Sequence, residues 1–310
     1  MLTADLIKNA ALHLRFDACG VITLDRLPSE QQQRFADWLS KGYHAHMSYL
    51  RRFADKRADP RRILRDGAKT AVVVLFSYNT KQRQPQHVPQ VSRYAYGMDY
   101  HVLLKKKLWA LLKELQKSNP KLRGRTFADT APLQERYLAA VAGLGWIGKN
   151  GMLVNKQFGS YVYIGTLLLN AAVESVPPLQ VKSCCGSCTR CIEACPTQAI
   201  VGNAVVDARR CWSYKTIEAH TCEKDESSTG GENFGTPKYI FGCDICQDVC
   251  PWNKKAKLAQ HNEMQLLPQL QTFTREDWLA MSEEDFEKNF SHSAIKRATL
   301  EGVKRNVGKA

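Results

Sequence analysis

Apolar positions along the chain follow two periods. Leu6, Ile7, Ala10 and Leu14 recur at helical spacing behind Thr3, whose hydroxyl can cap a helix, and a second helix is expected from a cap at Ser29 to Gly42. HVLLKKKLWALLKELQK, residues 101–117, is the most regular helical repeat, and its three lysines read as a solvated face. TAPLQERYLAAVA, residues 130–142, reads as a further helix stopped by Gly143. Between these lie short β-branched runs at 19–24, 71–78 and 161–169 that suit buried strands. The first part of the chain is therefore expected to be mixed α/β. The most apolar runs, TAVVVLFSY and YVYIGTLLL, are far shorter than the roughly 18 residues that cross a bilayer, so no membrane association is expected.

Cysteine changes the picture after about residue 180. CCGSCTRCIEACP, residues 184–196, holds five, and CDICQDVCPWN, residues 243–253, holds three of the chain's 11. With 310 residues the chain can build about two domains with cores of their own and needs no covalent staples. MLTADLIKNA carries Asp5 and lacks the apolar stretch of a secretory signal, so a cytoplasmic location with reduced thiols is expected, and the cysteines point to metal.

Spacing selects the metal. Cys185, Cys188 and Cys191 fall at x2 and x2, and Cys195 follows at x3 before Pro196. In bacterial two-cluster ferredoxins three such thiolates hold corners of one 4Fe-4S cube and the fourth serves the other cube. Cys243, Cys246 and Cys250 before Pro251 lack an upstream partner, which Cys211 in ARRCWSYKTIE supplies. One cube is thus expected on Cys185, Cys188, Cys191 and Cys250, the other on Cys195, Cys211, Cys243 and Cys246. Two zinc sites are the competing reading, and zinc prefers separated C-x-x-C pairs. Cys184 could shift the register and Cys222 could replace Cys211, each at the cost of a better spacing, while Cys19 reads as a buried strand residue. Interlocked clusters imply one-electron transfer, and about 180 residues ahead of them imply more than a carrier.

GLGWIGKNG, residues 143–151, matches the start of two nucleotide motifs. Both require a preceding strand, and the phosphate loop also requires Ser or Thr where Asn150 stands. A helix stop followed by a tight turn, with glycines admitting something bulky close to the backbone, is the reading that remains.

FADTAPLQERYLAAVAGLGWIGKNG, GSYVYIGTLLL, CGSCTRCIEACPTQAI, RRCWSYKTIE, FGCDICQDVCPWN and SAIKRATLEGVKRN, in that order, resemble the epoxyqueuosine reductases from about residue 50 onward. The resemblance implies an α+β protein: a mixed α/β, nitroreductase-like cobalamin-binding domain over 1–175, a ferredoxin-like domain with two 4Fe-4S clusters over 176–260, and a helical basic tail over 261–310. It implies a cytoplasmic enzyme, a monomer, that reduces epoxyqueuosine to queuosine at the tRNA wobble position, fed by an external low-potential donor. Converting an epoxide to an alkene takes two electrons and two protons and releases water, and the resemblance makes Asp129 the general acid. The competing reading of Asp129 is a carboxylate at the start of the 130–142 helix. Arg57, Leu153, Ile164 and Ser213 are implied around the corrin, and Ser92 stands near a position where some relatives carry cysteine. Asp99-Tyr100-His101 begins like a D-x-H-x-x-G cobalt-ligand element, but Leu104 occupies its glycine position, so His101 is not taken as a ligand.

Charge agrees with a polyanionic partner. The net charge is +14, and RRFADKRADPRRILRD sets seven Lys or Arg against three Asp. Many relatives continue into a helical-repeat domain and this chain stops at Ala310, so its grip on tRNA is expected from the two domains and the basic stretch 296–309. A reductive dehalogenase, which shares cobalamin and two cubes, and a simple electron carrier are the rival functions.

Overall fold

A four-stranded antiparallel sheet organises the first module of the computed structural model, which describes residues 2–173, 179, 182–219 and 238–309. The spare Cys222 lies outside the described residues. Helix α1 (Ala4–His13) is capped as expected, with the Thr3 hydroxyl accepting from the Leu6 N–H at 3.2 Å. Strand β1 (Ala18–Thr23) follows, then α2 (Ser29–Ser40). Here Pro28 is the residue before the first turn and no side chain caps it, so Ser29 opens the helix instead of capping it. Helix α3 (Ala54–Ala58), β2 (Thr70–Ser77), β3 (Gln90–Val91) and α4 (Tyr100–Ser118) come next. They are followed by β4 (Gly124–Phe127), α5 (Glu135–Val141), the hairpin β5 (Trp146–Ile147) and β6 (Leu153–Val154), and β7 (Val162–Leu169).

The sheet order is β1-β2-β7-β4, with Val74 opposite Gly165 at its centre. Both faces of β2 are covered, which explains its unbroken apolar run. Val72, Val74 and Phe76 pack under Leu104, Leu108 and Leu111 of α4, while Val73 and Leu75 face Leu138 and Ala139 of α5. The α4 lysines are not a uniform solvated face. Lys107 lies 5.4 Å from the Phe76 ring and Lys105 donates to the Thr130 hydroxyl at 3.2 Å, leaving Lys106 exposed.

Helix α5 starts five residues later than the expected 130–142 span. Pro132 disfavours helical backbone at Ala131, and residues 128–133 bend in consecutive turns instead, Thr130 N–H donating to Ala128 and Leu133 N–H to Ala131. Gly143, at φ +79°, ends α5, and the GLGWIGKNG segment runs into the β5–β6 hairpin. Its close approach is to the protein itself: a Cβ at Gly145 (φ +153°) would collide with the Val154 carbonyl.

The second module contains α6 (Arg190–Glu193), the hairpin β8 (Ile200–Gly202) and β9 (Val205–Val206), α7 (Trp212–Ile217), β10 (Tyr239–Phe241), α8 (Ile245–Asp248) and α9 (Pro251–Lys254). It is tied to the first by β10 pairing with β3 and by Asn253, which accepts from Ser160 N–H at 2.6 Å and donates to its hydroxyl at 2.9 Å. The C-terminal stretch forms α10 (Gln269–Thr272), α11 (Arg275–Ala280), α12 (Glu283–Phe290) and α13 (Thr299–Lys309). It is no free tail. Trp278, Phe290, Ile295 and Val303 share a core cluster with Val91, Tyr96 and Phe241, and the Asn306 amide donates to the Thr216 and Ile240 carbonyls at 2.9 Å each.

Candidate active site

Asp129 stands on the bend between β4 and α5, and its backbone rules out the capping alternative: φ is +63°, and α5 begins only at Glu135. The unusual backbone is held by the Glu135 carboxylate, which accepts the Asp129 N–H at 2.8 Å. The side chain is 56 % exposed yet stands among polar groups from two distant segments. Its Oδ2 accepts from the Tyr100 hydroxyl at 3.0 Å, lies 3.3 Å from His101 Nε2 and 3.6 Å from Arg297.

The first turn of α4 orients this group. Asp99 caps the helix through the His101 N–H (3.0 Å) and also holds His101 Nδ1 at 2.7 Å, so one carboxylate fixes both the helix start and the ring. Tyr100 is clamped by stacking on Tyr163 at 4.4 Å. Burial pushes the His101 imidazole toward the neutral form, but Asp129 and Asp99 outweigh it and its pKa is raised. Burial pushes the Asp129 carboxyl up, and His101, Arg297 and Tyr100 together hold it below its usual value. Glu135, buried beside the Asp129 charge, is pushed up to about 8. Arg297 NH1 also sits 3.0 Å from His101 Nε2. That nitrogen can donate to Asp129 or accept from Arg297, but not both at once.

Of the residues implied around a corrin, Arg57 reaches this ground. It is buried on α3, its Nε lacks a partner, and it lies within electrostatic reach of Tyr49, which also senses Glu218, Asp129 and Arg297. Leu153 is a core residue packed with Phe127 and Ala131, which flank Asp129 in sequence, and Ile164 packs half-buried on the same cluster. Ser213 directs its N–H to the Cys211 thiol. Ser92 is turned away from open space: it is buried and its hydroxyl donates to Asp244. The partnerless buried Arg57 Nε fits a large polar group on the Asp129 side of the fold, whereas the second Glu135 oxygen turns toward the buried Thr166 hydroxyl. Sequence reasoning had set His101 aside as a cobalt ligand without seeing its place beside Asp129, and it missed Tyr100, Glu135 and Arg297. The D-Y-H start of α4 was the available signal, and nothing local marked Arg297.

The eight cysteines fall into two sets. Cys191 lies within electrostatic reach of Cys185, Cys188 and Cys250, whereas Cys246 has Cys243, Cys211 and Cys195 around it. Each run therefore sends its last cysteine to the other set. N–H groups point at the sulfurs, Trp146 Nε1 to Cys185 at 3.4 Å and Ala199 N to Cys195 at 3.3 Å. Among the described residues no three His, Cys, Asp or Glu side chains converge tightly enough for a single ion. Thiols gathered in fours yet spread apart suit the corners of a cube, whose sulfur ligands bind different irons. Cys184 is exposed, and burial pushes the Cys19 thiol up to about 12, in keeping with an inert strand residue.

Two four-thiol sets joined to an exposed carboxylate–imidazole–guanidinium group define an iron–sulfur oxidoreductase. Residues 184–253 match the family described as 4Fe-4S double cluster binding domain, and residues 57–130 match Epoxyqueuosine reductase QueG, DUF1730. The epoxyqueuosine reductase of Cyclobacterium marinum is 40 % identical over 304 residues, covering 97 % of this chain and 94 % of the relative. The chain belongs to the epoxyqueuosine reductase family. Solved structures agree: an epoxyqueuosine reductase with an epoxyqueuosine-modified tRNA-Tyr stem loop has TM-score 0.81 at 29 % identity, covering 98 % of this chain and 79 % of that one. The Bacillus subtilis enzyme, with an aspartate-bearing catalytic loop swung out of the active site, has TM-score 0.83 at 28 % identity and the same coverage.

Proposed function

We propose that this protein reduces epoxyqueuosine to queuosine at the wobble position of tRNA, with Asp129 delivering the proton to the epoxide oxygen. The observation that carries this reading is the placement of the Asp129 carboxylate, open on one side and held by Tyr100, His101 and Arg297 on the other. We assign the cubes to the two cysteine sets described above, and cobalamin to the ground between Arg57, Asp129, Leu153, Ile164 and Ser213. Arg57 supplies the unsatisfied buried polar atom that favours such a ligand. When bound, cobalamin supplies a low-potential cobalt centre to act on the epoxide carbon. We divide the work among 1–175 for catalysis, 176–260 for electron transfer and 261–310 as a clamp across both.

The protein's own residues manage the protons. Breaking the C–O bond leaves an alkoxide, a poor leaving group until protonated. His101, kept protonated by Asp99 and Asp129, stores the proton, and Asp129 passes it on to the oxygen. Arg297 then donates to the bare Nε2 it already faces at 3.0 Å, stabilising the discharged relay. A helix N-terminus does not bear on the Asp129 pKa here; the cations beside it do. Two electrons and two protons close the balance, with one water released.

Asp129→Asn keeps the shape and removes the acid. Its kcat on epoxyqueuosine tRNA is expected to fall by about 10²- to 10⁴-fold with iron content unchanged. An undiminished rate sinks the assignment.

A further inference from the structure

The two cysteine sets are differently embedded. Cys195, Cys211, Cys243 and Cys246 are flanked by the buried Tyr214, Thr216, Phe241 and Asp244. Helix α7, about 9 Å long, leads from Cys211 to Glu218, which lies 3.9 Å from Arg297 of the active site. Tyr94, within electrostatic reach of both Asp129 and Asp244, fills the same interval. This is the inner set. Cys185, Cys188, Cys191 and Cys250 instead line the hollow of about 280 Å³ that their own cluster would fill, close to the protein surface. Cys184, Gly186 and Ser187 beside it are exposed. This is the outer set.

Cations surround the outer set. Lys149, Arg190 and Lys255 line its cavity together with Trp252 and Pro251, and Lys254 lines the adjoining groove with Arg190. Of the two carboxylates of that groove, Asp248 is paired with Arg93 at 2.7 Å, while Glu193 accepts from the neutral Thr189 hydroxyl at 2.5 Å and keeps its charge. Arg190, Lys254 and Lys255 are exposed beside the cluster position and outnumber Glu193, which leaves this surface net positive, as suits an acidic partner. None of them belongs to the Asp129 group.

We propose that Arg190, Lys254 and Lys255 form the docking surface for an acidic protein carrying a one-electron centre, and that electrons enter at the Cys185, Cys188, Cys191 and Cys250 cluster. The proposal rests on the cluster assignment above. Each encounter moves one electron from carrier to cluster and makes or breaks no bond. Two encounters oxidise two carriers and supply the pair of electrons that, with two protons, turns the epoxide into alkene and water. Tyr94 and α7 place the inner cluster between the outer one and Asp129.

The test uses the cluster-loaded enzyme and the variant Lys254→Glu/Lys255→Glu, with an acidic bacterial flavodoxin as the probe. Titration calorimetry follows binding of the oxidised flavodoxin, and stopped-flow absorbance follows cluster bleaching by its hydroquinone. The expected result is at least a tenfold loss in both affinity and rate for the variant, matched by wild type on raising salt from about 50 to about 300 mM. Iron content and reduction by photoexcited deazaflavin should be unchanged. Equal binding by both proteins, or none by wild type, overturns the docking surface. If the variant instead loses affinity for a tRNA stem loop while flavodoxin binding persists, the patch belongs to RNA and the proposal falls. Wild type lacking reducible iron overturns the cluster assignment, and this proposal with it.

Discussion

Asp129 meets opposite demands from its backbone and its side chain. A left-handed φ at a non-glycine residue costs about 1 kcal/mol or more, and the Glu135 carboxylate offsets it by accepting the Asp129 N–H. Glu135 is therefore a positioning residue. Burial and the Asp129 charge push its pKa up to about 8, which shifts Glu135 toward the neutral acid and eases the repulsion between the two carboxyls. Arg297 tests the relay at this scale. Its positive charge opposes protonation of the His101–Asp129 pair, so Arg297→Gln should lower kcat and move the alkaline limb of the kcat profile upward by about one pH unit. A purely structural Arg297 would lower the rate and leave the limb in place. The residue type at Asp129 was legible through the family resemblance, and its partners were not. They come from α4, about 30 residues before it, and from a stretch about 170 residues after it.

Elements show where local pattern suffices. Three of the sheet's four strands and α1 lie within a residue or so of their expected bounds, because β-branched runs and the Thr3 cap are local signals. The short edge strand β4 (GRTF) carries too little pattern to be read. Helix α5 departs from its expected bounds, because Pro132 and the bend at Asp129 take over its first turns. Shortening this helix is what frees the Asp129 carboxylate from a capping role. The glycine segment next to it is likewise structural at Gly145, where β5 crosses the Val154 carbonyl without room for a methyl group. Gly145→Ala should destabilise the fold by about 2 kcal/mol or more, read as a lower denaturation midpoint, with cluster absorbance retained in the folded fraction. Unchanged stability would mean that the hairpin relaxes freely. Helix α7 has no striking sequence pattern, yet its six residues carry the chain from Cys211 to the neighbourhood of Arg297.

Across the whole molecule, the basic stretch 51–66 proves less free than its count of charges implied. Arg61 is paired with Asp59 and Asp25, Arg62 with Asp55, and Arg57 is buried. Arg51, Arg52 and the 58 % exposed Phe53 remain outward, a combination of cations and an aromatic face that suits RNA. With a net charge of +14, tRNA affinity should fall tenfold or more between about 50 and about 200 mM salt, measured by filter binding, and a flat response would discount phosphate contacts. The C-terminal stretch, expected as a basic tail, instead closes a third core and brings Arg297 to the site. Sequence alone determined three strands of the sheet and the spacing from which the crossed cysteine grouping is proposed, because periodicity and ligand spacing are properties of neighbouring residues. Tertiary structure alone decided which groups surround Asp129, which cysteine set faces outward and which cations stay unpaired. Those depend on segments meeting across the fold, and no local pattern encodes their meeting.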